Sequence, residues 1–163
     1  MPRDTYRFQP MTADDLPLVR RWLKTAHVSE WWGDPAEQLT LVSGDIDEPA
    51  MDQYIVVKDD RAFAYLQCYL QTAWAENGLG PHPIGTRGID QFIGEADLVG
   101  CGHGSAFIRA FTDRLLAAGT PRVITDPDPV NARAVRAYEK AGFHKQHEVD
   151  TPDGRALLMV RNA

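Results

Sequence analysis

Apolar and polar residues recur along this chain with two periods, and the changes between them mark its elements. Leu16, Val19, Trp22 and Leu23 fall at helical spacing behind Thr12 and Asp15, a capping pair, so the pattern predicts a helix ending near Ala26. A short helix is expected over Pro35 to Leu41, then an acidic loop from Gly44 to Pro49. Thr5 to Gln9, Gln53 to Lys58 and Ala62 to Leu70 read as strands, the last two joined at Asp59-Asp60 into an antiparallel hairpin. Thr72 to Thr86 is rich in glycine and proline and reads as a surface loop long enough to carry function. Arg87 to Gly94 is again a strand. Phe107, Phe111 and Leu115 then mark a helix that Gly119 should stop. A strand over Arg122 to Thr125 precedes a helix capped by Asn131 and ended by Gly142. Strands over Phe143 to Val149 and Ala156 to Val160 meet through the turn Thr151-Pro152-Asp153-Gly154. This order predicts an α/β (α+β) fold, a mixed sheet with helices on both faces.

Composition narrows the picture only a little. A chain of 163 residues with 44% hydrophobic and 25% charged positions is expected to form one domain, residues 1–163. The formal net charge of −6 argues against a nucleic-acid partner and fits a cationic small molecule. Cys68 and Cys101 make neither a disulfide framework nor a metal site. With no signal-like segment and no apolar run of membrane-spanning length, a cytoplasmic location is expected, and monomer and homodimer are both open.

Three stretches carry candidate chemistry. In Asp97-Leu98-Val99-Gly100-Cys101-Gly102-His103-Gly104-Ser105, glycines alternate with other residues and a helix follows at once. Glycines let a ligand approach the backbone, and the unpaired N–H groups of a helix start can hold a phosphate. No Lys follows Gly104, so this is not a Walker loop, and Gly102 and Gly104 stand too close together for the dinucleotide fingerprint. In the strand before it, Asp90 and Phe92 share one face while Ile89 and Gln91 share the other. A carboxylate in such a strand needs a cation or a solvent cleft, because burying it unpaired is costly. The adjacent Trp31 and Trp32 cannot both face one core, so one is expected inside and the other on the wall of a cleft.

Together with Asn131-Ala132-Arg133-Ala134-Val135-Arg136-Ala137-Tyr138-Glu139-Lys140-Ala141-Gly142-Phe143, the glycine loop resembles the GNAT acyl-CoA-dependent N-acetyltransferases. Three further stretches resemble the aminoglycoside 6′-N-acetyltransferases within that family: Glu30-Trp31-Trp32-Gly33, Arg87-Gly88-Ile89-Asp90-Gln91, and Thr125-Asp126-Pro127. The resemblance implies a GNAT fold and acetyl-CoA as co-substrate, with no metal. It implies that Val99, Gly100, Gly102, His103, Gly104 and Ser105 hold the pyrophosphate. Backbone N–H groups from Phe92 and Ile93 to Gly94 would take the thioester oxygen and the pantetheine arm, which Asn131 would also contact. Val99 stands where the family usually has Gln or Arg, a small loss if the socket works through backbone N–H groups.

The same resemblance implies Asp90 as base, Tyr138 as acid to the coenzyme A sulfur and neighbour of the cofactor, and Asp126 as the group that orients the amine. Trp31 and Trp32 would wall the acceptor site. Aminoglycoside enzymes tend to carry acidic residues in the loop before the central strand, where this chain offers only Glu76. The expected activity is transfer of acetyl to a primary amine, foremost the 6′-amine of an aminoglycoside. A siderophore-type acyltransferase acting on a hydroxylated lysine, and a non-catalytic acyl-CoA-binding domain, are the alternatives.

Overall fold

The computed structural model describes residues 5–163. The first strand, β1 (Arg7–Pro10), leads into a 3₁₀ turn at Ala13–Asp15 capped by Thr12, whose own N–H donates to Asp15 Oδ2 at 2.9 Å. Three helices follow: α1 (Leu16–Leu23), α2 (Ala26–Trp32) and α3 (Pro35–Gly44). The hairpin of β2 (Met51–Lys58) and β3 (Arg61–Leu70) precedes β4 (Arg87–Ile93) and α4 (His103–Ala117). Strand β5 (Arg122–Thr125), helix α5 (Ala132–Lys140) and the hairpin of β6 (His144–Thr151) and β7 (Gly154–Asn162) complete the chain.

The predicted first helix ends close to the expected place, and a second helix that the sequence pattern did not predict follows it. Thr25 takes an extended backbone, and its Oγ1 donates to the Trp22 carbonyl at 2.6 Å, so α1 stops at Leu23 and α2 begins at Ala26. The Trp31-Trp32 stretch is therefore helical up to Gly33, which turns the chain at φ +92°.

All seven strands form one sheet in the order β1-β2-β3-β4-β5-β7-β6. Every pairing is antiparallel except β4 with β5. One face carries α4 and α5: Phe107, Ile108, Phe111, Val135 and Tyr138 pack there against Phe63, Leu66 and Ile89. The other carries α1 to α3, with Val19, Trp22, Leu23, Val28 and Val42 against Ile55, Tyr65 and Phe92.

The segment from Thr72 to Thr86 is anchored more firmly than a plain surface loop. It opens in a 3₁₀ turn at Gln71–Trp74, and Leu79 is buried against Ile124, Leu158 and Val160.

Candidate functional site

The parallel pair at the centre of the sheet is short. Only Arg87 and Gly88 register with Val123 and Ile124, and beyond them β4 and β5 part. Residues alternate in the direction their backbone groups point. Gly94 N–H donates to Phe63 O on β3 at 2.7 Å, while Ile89 O accepts from Thr125 Oγ1 at 3.0 Å on the β5 side. The backbone groups of Gln91 and Ile93 therefore face the opening, and those of Phe92 and Gly94 belong to the β3 ladder. This corrects the expectation for two of the three N–H groups. Phe92 contributes its ring instead, packed edge-on to Trp32 at 4.9 Å and to Trp22 at 6.2 Å. The Ile93 carbonyl already accepts from His27 Nε2 at 2.9 Å, which leaves its N–H.

The glycine loop lies at the end of this opening. Gly102 caps α4 in the left-handed region, φ +86° and ψ 0°, and a Cβ built there meets nothing within 4 Å. The first N–H groups of α4 have no partner inside the helix and converge with its positive dipole end. Gly100 and Val99 form the approach, and Ser105 Oγ donates back to Gly102 O at 3.2 Å. His103 behaves differently from its neighbours: Tyr6 Oη lies 2.8 Å from its Nδ1, and its ring stands against Phe63 at 5.6 Å. The imidazole is thus half-buried and turned toward the core.

Tyr138 is buried on α5 beside Thr125 and Gln91, where the strands part. Burial holds its hydroxyl well above the ordinary phenol range, so it stays protonated. Thr125 and Gln91 were not singled out in the sequence, since only the parting of β4 and β5 gives them a role. Asn131 caps α5, accepting from Ala134 N–H at 3.2 Å, and borders the same cavity.

A cleft of about 1210 Å³ opens on the face of α1 to α3. Asp90 and Asp126 meet at its floor, close enough for each to bias the other's ionisation. Two carboxyl groups in contact cannot both ionise freely. Burial raises Asp90, while the Gln67 amide, donating to its Oδ2 at 2.9 Å, opposes the rise. Burial first, then the charges of Asp90 and Asp153, push Asp126 up to about 8. Arg87, a possible partner for Asp90 in the sequence, pairs with Asp52 at 3.6 Å instead.

The rest of the lining is one-sided. Glu30, Asp34, Glu37 and Asp45 come from α2, α3 and their ends, Glu76 from the loop before β4, and Asp128 and Asp153 from the far wall. With Asp90 and Asp126 these make nine carboxyl groups, and among the described residues the lining holds no Lys, Arg or His. Sequence reasoning looked for this acidity in the loop and found only Glu76. It comes from α2, α3 and the turn after β5, whose acidic side chains read singly as ordinary surface. Trp31, 40% exposed, stands at the rim, and the half-buried Trp32 packs on Phe92 and Tyr65, so both rings border the cleft and neither is wholly inside. No helix among the described residues is long and apolar enough to cross a membrane.

Comparison with known proteins agrees with this geometry. The sequence model of the acetyltransferase (GNAT) domain matches residues 11–151. The chain is 35% identical to aminoglycoside N(6′)-acetyltransferase type 1 of Klebsiella pneumoniae, over 97% of this chain and 83% of that protein. Its structure superposes on AAC(6′)-Ib in complex with paromomycin and acetyl-CoA with a TM-score of 0.86 at 33% identity, covering 98% and 94% of the two chains. The complex of the same enzyme with coenzyme A and kanamycin gives 0.85 at 32% identity, covering 97% and 95%. A glycine loop opening a helix, strands parting beside a buried tyrosine, and a match along most of the chain lead to one conclusion: this protein belongs to the GNAT acetyltransferase family.

Proposed function

We propose that this protein transfers the acetyl group of acetyl-CoA to the 6′-amine of an aminoglycoside, directly, in a ternary complex. The observation that carries the acceptor class is the cleft with nine carboxyl groups and, among the described residues, no cation. A low-dielectric cleft lined by one sign of charge concentrates molecules of the opposite sign. A polycationic amino sugar is such a molecule, whereas a hydroxylated lysine presents fewer positive groups to so many carboxylates. The relative whose structure holds coenzyme A and kanamycin supports the same acceptor.

The residues divide the work as follows. Acetyl-CoA, when bound, supplies an activated acetyl thioester. The N–H groups at the start of α4 take its pyrophosphate, with Val99, Gly100, Gly102, His103, Gly104 and Ser105 shaping the socket and no side-chain cation required. The open space around Gly100 and Gly102 fits that use. The N–H groups of Gln91 and Ile93, facing the opening beside β5, receive the pantetheine arm and the thioester oxygen, and Asn131 borders them.

The acceptor enters as an ammonium and must lose a proton before its nitrogen can attack. Asp90 takes that proton, Asp126 holds the amine in line, and Trp31 and Trp32 wall the sugar. As the new C–N bond forms and the C–S bond breaks, Tyr138 donates its proton to the departing sulfur. A buried, protonated phenol suits that role.

Thiol release by purified protein tests the reading. Kanamycin should be acetylated and an aminoglycoside with a 6′-hydroxyl should not. Asp90→Asn should abolish turnover with kanamycin while leaving coenzyme A affinity within about twofold of the original, since Asp90 lies outside the glycine loop. Turnover of both drugs, or survival of Asp90→Asn, overturns it.

A further inference from the structure

Behind Asp90 runs a line of polar side chains to which the reading above gives no part, and of these Gln67 reaches the lining of the cleft. Gln53 on β2 and Tyr65 on β3 are both buried in a face otherwise filled by Ile55, Val57 and Phe92. Gln53 Nε2 donates to the Val42 carbonyl on α3 at 2.9 Å and to Tyr65 Oη at 3.1 Å. Tyr65 Oη donates to Gln67 Oε1 at 2.8 Å, and Gln67 Nε2 donates to Asp90 Oδ2 at 2.9 Å.

The direction of this line is not free. A backbone carbonyl only accepts, so Val42 O fixes which end of the Gln53 amide is nitrogen. The amide then donates to the phenol, whose single proton must go forward to Gln67 Oε1. That turns the NH₂ of Gln67 toward Asp90. Reversing either amide would set acceptor against acceptor or donor against donor in a buried place. One carbonyl on the wall of the acceptor cleft thereby decides the orientation of every group as far as Asp90. Filling the core needs no such order, because apolar side chains of similar volume would serve.

We propose that Gln53, Tyr65 and Gln67 are positioning residues for the acyl transfer, a one-way hydrogen-bond chain that fixes the rotation of the Asp90 carboxyl group and keeps its Oδ2 an acceptor. The proposal rests on Asp90 being the base. A donor aimed at Oδ2 favours the charged form of Asp90 over that of Asp126, so the shared proton resides on Asp126 and Asp90 is ready to receive another. The remaining titratable groups near Asp90 are Asp126 beyond β5, Asp153 in the turn between β6 and β7, Tyr69 on β3, and Tyr138 on α5. None of them is a cation, so the Gln67 amide is the neighbour that stabilises the anion.

Carboxyl NMR titration of the ligand-free protein, with ¹³Cγ-labelled aspartate, tests this without depending on the acceptor. Asp90→Asn and Asp126→Asn assign the two resonances. In Gln67→Met the lower titration step of the pair should rise by about one pH unit, the worth of a hydrogen bond to a charged group. Tyr65→Phe keeps the ring against Trp32 and Phe92 and should shift the step the same way by less. The double variant should match Gln67→Met alone, because Tyr65 acts through Gln67. The acid limb of kcat/KM with kanamycin should move with the titration.

An unmoved step in Gln67→Met, or shifts that add in full, overturns the chain. If wild-type protein leaves kanamycin untouched while the step still moves, the acceptor assignment fails and the chain stands. If Asp90→Asn is dead and the step stays put, the base stands and the chain fails.

Discussion

Two glycines of the same loop should respond to alanine in opposite ways. Gly102 caps α4 at φ +86°, with open space where a Cβ would stand, so the cost of Gly102→Ala is conformational and not a clash. The left-handed region costs an L-residue about 1–2 kcal/mol. For a chain of this size that corresponds to a loss of about 2–8 °C in Tm. Gly104 lies inside the first turn of α4, and a Cβ there would meet only Ile93 Cδ1, at 3.8 Å, an ordinary contact. Gly104→Ala should leave Tm unchanged or raise it slightly, since alanine is the better helix former by up to about 1 kcal/mol.

Affinity for coenzyme A should fall when the side chain at that position is charged. The carboxylate of Gly104→Asp suits the positive end of α4 in the free protein but competes with the pyrophosphate for the same N–H groups. Loss of one hydrogen bond to a charged group costs about 1.5–3 kcal/mol, or roughly 10- to 150-fold in Kd. Thermal melts and calorimetric titration with coenzyme A read both quantities on the same samples. A Gly104→Asp protein that melts normally and binds coenzyme A within twofold of the original would falsify the socket. An undiminished Tm in Gly102→Ala would refute the account of strain.

The two tryptophans at the cleft should likewise separate. Trp32→Ala removes the ring packed on Phe92 and Tyr65 and should cost about 2–3 kcal/mol, below the range for a fully buried tryptophan because Trp32 is only half-buried. Trp31→Ala should change stability by less than about 1 kcal/mol while raising KM for an aminoglycoside; chemical denaturation with steady-state kinetics distinguishes them. Asp126 gives stability a definite dependence on pH. Its carboxyl group, pushed up to about 8 in the fold, holds a proton that the unfolded chain releases near pH 4. The folded state therefore binds more protons across that window, and stability falls as pH rises from about 4 to 8 and levels off above. Urea unfolding at pH 5 and pH 8 should show a smaller drop for Asp126→Asn than for the original protein; equal drops would refute the assignment.

The elements that could be read from the sequence are those whose signals are local. Asn131 and Gly142 bracket α5, and Gly119 follows α4, because caps and left-handed stops act within a few residues. Asp90 stood out as a charge within an apolar strand. Helix α2 escaped notice, since of its seven residues only Val28 is buried and no apolar stripe marks it. The inward turn of His103 could not be read at all: its partner Tyr6 lies 97 residues away, and the glycines on either side suggested a ligand. The wrong choice of N–H groups on β4 has a similar origin. Which residues face β5 depends on strand pairing, and one residue of register decides it. The acidic wall is tertiary in the same sense, since α2, α3, the loop before β4 and the turn after β5 converge only in the fold.

The position of β7 in the sheet has a consequence for how the protein is made. Strands β1 to β4 pair in the order in which they leave the ribosome, so that half of the sheet can assemble on a nascent chain. Strand β5 cannot be completed in the same way. Its antiparallel neighbour is β7, which ends at Asn162 and lies between β5 and the earlier-made β6. Until that strand is released, β4 has only two residues of parallel pairing to draw β5 against it. Asp90 then waits on an open sheet edge for Asp126, and such an edge is a template for other chains. The most delicate interval in the making of this sheet is therefore the synthesis of β6 and β7, when the carboxyl pair is half built and the edge that carries it is bare.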